Sequence, residues 1–116
     1  MARLTSTFFV AQLVRRVSGS GGFAAVLKKG ADEAGAVHIA VRARSGALRF
    51  YRPAMQISYD RETTGDRLFQ LDPSITDDNA QSAFVAKEQR FDPDFWVVEL
   101  ETHIEGEALP FEIVTP

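Results

Sequence analysis

Few side chains in this sequence carry the chemistry of a site. His38 and His103 are its only histidines, and it has no cysteine. A protein-held zinc site would need at least two further ligands beside these histidines, at suitable spacing. No H-E-x-x-H or similar pattern supplies them, and thiolate-bound metals and disulfides are excluded outright. Asp92, Asp94, Glu99, Glu101 and His103 would form an oxygen-rich cation site only if a turn and a strand end converged. Glu99, Glu101 and His103 also alternate as the solvated face of a strand does, so no metal is expected. General acid–base catalysis needs two carboxyls brought together with their pKa values driven apart by burial. Asp94, beside Phe95 and Trp96, is the acid closest to apolar surface, yet an acid flanking Pro93 ordinarily fixes a turn through backbone N–H groups. Ser58, Ser74 and Ser82 lie in no G-x-S-x-G elbow. No catalytic residue is assigned and no cofactor is expected.

Binding is the more open question, because the charge is unevenly spread. The 116 residues carry a net charge of −3. Residues 1–60 hold nine basic and three acidic residues, a net +6, whereas residues 61–116 hold four basic and thirteen acidic ones, a net −9. Such a dipolar surface fits an acidic partner or a second copy of the acidic half, unless the two halves simply fold against each other. Arg15, Arg16, Lys28 and Lys29 are the candidate basic patch, if a connector at residues 18–22 folds a helix end back beside the first strand. Trp96 is expected in the core, with an interface anchor as its other reading. The isoelectric point near 5.3 disfavours general binding to nucleic acid, although a local basic face can still hold phosphate.

These residues need elements to position them. Phe9, Leu13 and Val17, widened by Val10 and Val14, predict an amphipathic helix over residues 5–18 with Thr5 or Ser6 as its cap. The Gly/Ser run at 18–22 follows that helix and lacks a Lys-Ser/Thr pair, so it is a connector and not a phosphate loop. Strands are expected at 23–29, 36–44 and 48–52 as an antiparallel meander, because a parallel pairing would need a crossover of a dozen or more residues. Between the first two, residues 30–35 are expected to turn on glycines with φ > 0. A polar loop over 54–66, a fourth strand at 67–71, a second helix at 77–90 and a strong strand at 95–102 complete the pattern. Ala80, Phe84 and Phe91 are expected on one stripe of that helix. Trp96, Val98 and Leu100 should share one face of the last strand.

The expected class is α+β, a two-layer sandwich in which two helices cover one face of a mainly antiparallel sheet of four to five strands. Residues 1–104 form one domain, and residues 105–116 a tail or short edge strand at 110–114. If the sheet's second face stays apolar through Phe50, Val97 and Ala25, a homodimer is the simplest way to cover it. No stretch reaches the ~18 apolar residues that span a bilayer, so a cytoplasmic protein without membrane contact is expected.

Phe23-Ala24-Ala25-Val26, Lys29-Gly30, Ala34-Gly35-Ala36 and the run Arg90-Phe91-Asp92-Pro93-Asp94-Phe95-Trp96-Val97-Val98-Glu99 resemble an uncharacterised alphaproteobacterial family, domain of unknown function 1491, over residues 3–101. The resemblance implies a small stand-alone bacterial protein and supplies no activity, cofactor or catalytic residue. The expected function is therefore a non-catalytic module that binds a protein partner or itself. A nucleic-acid or phosphate binder using the basic half is the alternative, and a small enzyme using acids near Trp96 a further one.

Overall fold

The computed structural model describes residues 4–54, 67–102 and 109–114. Most of the loop expected over 54–66, together with Ser58 and His103, falls outside them. The first helix, α1 (Ser6–Gly19), starts where its cap requires: the Thr5 hydroxyl accepts from the Phe8 N–H at 3.2 Å. That bond satisfies one of the four otherwise unpaired N–H groups and stabilises a helix by about 1 kcal/mol. Val10, Leu13 and Val17 form its buried stripe, and each fully buried side chain of this size contributes roughly 1.5–3 kcal/mol.

Six strands follow: β1 (Phe23–Lys28), β2 (Val37–Ala43), β3 (Leu48–Pro53), β4 (Leu68–Leu71), β5 (Trp96–Thr102) and β6 (Glu112–Ile113). The second helix, α2 (Asp78–Glu88), lies between β4 and β5 and is capped by Asp77, whose carboxylate accepts from the Ala80 N–H at 2.8 Å. All strands join one sheet in the order β1-β5-β2-β3-β4-β6. The class is α+β with a mixed sheet.

The meander holds from β2 to β4 and fails at β1. β5 inserts between β1 and β2, antiparallel to the first and parallel to the second, with Val98 opposite both Val26 and Ile39. Burial explains the choice. Trp96, Val97, Val98 and Leu100 are all buried, and a strand apolar on both faces belongs in the middle of a sheet. β1 leaves Phe23, Val26 and Leu27 exposed and takes the edge. The parallel pairing obeys the crossover rule, since β3, β4 and α2 all lie between β2 and β5. A second parallel pair, β4 with β6, puts the expected short C-terminal strand on the opposite edge.

The helices cover opposite faces, so the layering is helix–sheet–helix in place of two layers. α1 packs on Val37, Ile39, Val41, Val98, Leu100 and Trp96. Ala80, Phe84 and Val85 of α2 pack on Ala40, Leu48, Phe50, Phe95 and Val97. Phe50 and Val97 are therefore already covered within one chain, which removes the packing reason for a homodimer through that face. Phe91 is not on the α2 stripe: the helix ends at Glu88, and Phe91 lies in the turn beyond, 76% exposed.

Gly30 and Gly35 are not positive-φ residues; among the described residues those are Gly21 and Gly46. They are needed instead for close approach. A Cβ on Gly30 would lie 2.2 Å from the Asp94 carbonyl oxygen, and one on Gly35 would lie 2.4 Å from the same atom.

Candidate functional site

The most distinctive residues of the sequence meet in one knot at the start of β2 and β5. In the turn before β5 the Asp94 N–H donates to the Asp92 carboxylate at 3.1 Å, so Asp92 is the turn-fixing acid. The Asp94 carbonyl accepts from the Ala31 N–H at 2.9 Å, and the Trp96 Nε1–H donates to the Ala31 carbonyl at 2.8 Å. Together these clamp the 30–35 loop onto the turn. Lys28 closes the knot from β1. A bulge between Val26 and Lys28 turns its side chain toward the turn. Its Nζ there donates to the Pro93 and Phe95 carbonyls at 2.7 and 2.9 Å and lies 4.3 Å from the Phe95 ring centroid. The start of α1 joins as well: Ser6 N–H and Thr7 N–H donate to the Glu33 and Asp32 carbonyls, and Arg67 donates to the Ser6 hydroxyl at 3.0 Å.

Of the six singled-out residues, three thus serve the knot. Trp96 is 3% exposed and belongs to the core. Lys28 is held by backbone carbonyls, and Asp94 contributes its backbone while the residue as a whole is exposed. Lys29 faces Asp32 at 3.8 Å with both side chains in solvent, a pair worth little. The acids do not converge. Asp92 and Asp94 precede β5, whereas Glu101 lies near its far end, and Glu99 is held by Arg42 at 3.4 Å.

The four basic residues separate into two pairs. Because α1 runs back along β1, Lys28 and Lys29 lie at the α1 start, where Asp32 and Glu33 receive its N–H groups. Arg15 and Arg16 lie at its end, beside Gly22, whose ideal Cβ would touch Val17. Six residues of strand, about 20 Å, lie between the two ends. Sequence reasoning missed what joins Arg15 and Arg16. The end of β2 and the start of β3 reach the same edge of the molecule, bringing Arg42, Arg44 and Arg49 there; Arg49 sits opposite Val41 in the hairpin. Arg42 donates to Asp78 at 2.6 Å and to Glu99, which anchors the α2 start, and these bonds raise its pKa. Arg15, Arg16, Arg44 and Arg49 are exposed and make no ion pair among the described residues. A recess of about 380 Å³ lies at this end of the sheet beside Arg44, lined by Gly21, Gly22, Phe23, Arg42, Arg44 and Glu101. A hairpin of arginines across from a helix end is invisible to linear spacing, although the high Arg content of residues 42–52 was a signal for it.

His38 was the other residue whose place the sequence did not give. It is 3% exposed, with the Phe50, Phe84 and Phe95 rings 5.8, 5.3 and 5.3 Å away. Burial lowers its pKa to about 4, Arg52 adds to the drop, and the Trp96 backbone and Asp92 oppose it. The imidazole is a neutral core group at neutral pH.

Among the described residues no helix is long and apolar enough to cross a membrane, and no three His, Asp or Glu side chains gather as metal ligands do. A family model described as a protein of unknown function, DUF1491, matches residues 4–109. The solution structure of the protein Atu0922 from A. tumefaciens is 40% identical, with a TM-score of 0.80 over 98% of this chain and 97% of that one. A crystal structure of a DUF1491 family protein from Caulobacter crescentus is 29% identical, with a TM-score of 0.76 over 96% of this chain and 98% of the other. An NMR structure of a DUF1491 family protein from the same organism is 30% identical, with a TM-score of 0.77 over 98% and 99%. No curated protein matches the chain.

Proposed function

The chain belongs to the DUF1491 family of unknown function, and we propose that it is a non-catalytic, cytoplasmic interaction module whose arginine-bearing end docks an acidic segment of a protein partner. One observation carries this reading: Arg15 and Arg16 at the end of α1 and Arg44 and Arg49 of the β2–β3 hairpin lie toward the same end of the sheet, and all four are exposed and make no ion pair among the described residues. An excess of exposed positive charge at one end steers an anionic partner during encounter. The best-defined motif supports the same conclusion by elimination. Asp92, Asp94 and Trp96 serve a backbone knot, so the reading as an enzyme with acids near Trp96 draws no support from their arrangement.

Nucleic acid is the second reading, since phosphates are also anions; the acidic isoelectric point of 5.3 stands against it. The test compares capture from the cell of origin by the wild-type chain and by the triple variant Arg15→Glu, Arg44→Glu, Arg49→Glu. The expected result is a stoichiometric protein held by the wild type, weakened as salt screens the contact, and lost with the variant. Capture that the reversal leaves unchanged overturns the proposal. Nucleic acid in the salt eluate, with no protein beside it, replaces it with the second reading.

A further inference from the structure

A second feature shares only Arg16 with the arginine-bearing end. Between α1 and the segment entering β6 lies a cavity of about 360 Å³, within the roughly 300–1,000 Å³ of small-molecule sites. Along α1 it passes Phe9, Gln12 and Arg16, one flank of the helix at successive turns. Phe111 forms its opposite wall. Both rings rest on the buried Phe69, with centroids at 5.7 Å for Phe9 and 5.3 Å for Phe111, and Phe111 also meets Tyr51 at 5.2 Å. Two apolar walls are therefore braced by the core. The charges are arranged along the cavity. Arg67 and Glu112 share one end, where Leu68 pairs with Glu112 and Arg67 donates to the Leu4 carbonyl at 2.9 Å. At the other end Arg16 is exposed and makes no ion pair among the described residues, with the Gln12 side chain one turn before it.

We propose that this cavity binds a small organic carboxylate with an apolar body. The carboxylate is received by the Arg16 guanidinium and the Gln12 amide, and the body lies between the Phe9 and Phe111 rings. Arg16 is the exposed cation of the lining and stands at the mouth, which suits a monoanion. A guanidinium receives a carboxylate through paired N–H donors, and the flat ring faces suit an aliphatic or aromatic body.

The test uses the full chain labelled with ¹⁵N and three probes: octanoate, octanol and acetate. Octanoate is expected to shift the amides of Phe9, Gln12, Arg16 and Phe111 saturably, while acetate at equal concentration leaves them in place. Arg16→Ala, a change at an exposed helix position that leaves folding intact, is expected to weaken octanoate about tenfold, the loss of one charge-assisted contact, without altering octanol. Phe111→Ala is expected to weaken octanoate and octanol alike. Equal binding of octanoate and octanol to the wild type, or octanoate shifts centred elsewhere, overturns the proposal. So does an Arg16→Ala variant that binds octanoate as the wild type does. Arg15, Arg44 and Arg49 do not line this cavity, so failure here leaves the partner-docking proposal standing, and failure of that proposal leaves this one standing.

Discussion

His38 and Gly30 show how much a single position depends on its neighbours. His38 is held neutral among three phenylalanines with a pKa of about 4 against an ordinary 6.5. As pH falls, the unfolded chain takes the proton first. The stabilising preference for the neutral ring is complete above 6.5, declines through the interval, and is exhausted near 4. By linkage the loss is on the order of 3 kcal/mol. Urea titrations at pH 7 and pH 4.5 should show His38→Phe losing distinctly less stability than wild type between the two; equal losses would mean the imidazole is not the titrating group. Gly30 is sterically bound, since its Cβ would overlap the Asp94 carbonyl oxygen. Gly30→Ala should cost about 2–4 kcal/mol, whereas Gly19→Ala, with nothing within 4 Å at a helix end, should stay within ~1 kcal/mol by the same denaturation measurement. A sequence displays the glycine but not which backbone approaches it, so a turn with positive φ was the natural expectation.

At the scale of elements, legibility followed burial. α1 was readable because one stripe is buried and the rest exposed, which leaves a period of 3.6. β2 and β5 were readable as strands from their β-branched runs, but their neighbours were not. A strand buried on both faces gives no sign of what lies beside it, and β1, read as the start of a meander, yielded its expected place next to β2. The α2 boundary was uncertain for the opposite reason: Gln81 is its only buried residue, so little pattern marked its end or excluded Phe91. The candidate site suffered likewise. Trp96 lies in the core, the turn is fixed by the Asp92 carboxylate and not by Asp94, and Lys28 stands apart from the expected basic patch through a bulge that is not a sequence signal. Lys28→Met, which keeps the aliphatic stem, should lower stability by about 1–3 kcal/mol through two carbonyls left without their charged donor. Thermal unfolding would measure it, and an unchanged midpoint would show those carbonyls to be solvated.

Across the whole molecule the fold converts an asymmetry along the chain into one in space, though not by halves. Of the N-terminal basic residues, Lys28 is consumed in the knot at one end of the sheet, whereas Arg15, Arg16, Arg44 and Arg49 face solvent toward the other. The acidic second half contributes Asp78 and Glu99 to hold Arg42, which ties α2 to the sheet and leaves Arg44 and Arg49 for other use. Net charge alone, at −3, conceals this arrangement.

The position of β5 has a consequence for biosynthesis. The strand that separates β1 from β2 follows both helices and β1 to β4 in the chain, so each of those elements emerges from the ribosome without the strip that joins them. A nascent chain released after Asp94 has α1, both flanking strands and α2, yet no pairing to unite the two sides of the sheet. It should remain protease-sensitive and prone to chaperone capture, whereas a chain released with β5 and the residues beyond it should become resistant. Stalled nascent chains of stepped length, digested briefly, would locate that transition; protection before Trp96 has emerged would mean that the halves associate without their central strand. Acquisition of structure is thus postponed until β5 has emerged, and the exposed β2 edge must be shielded until then.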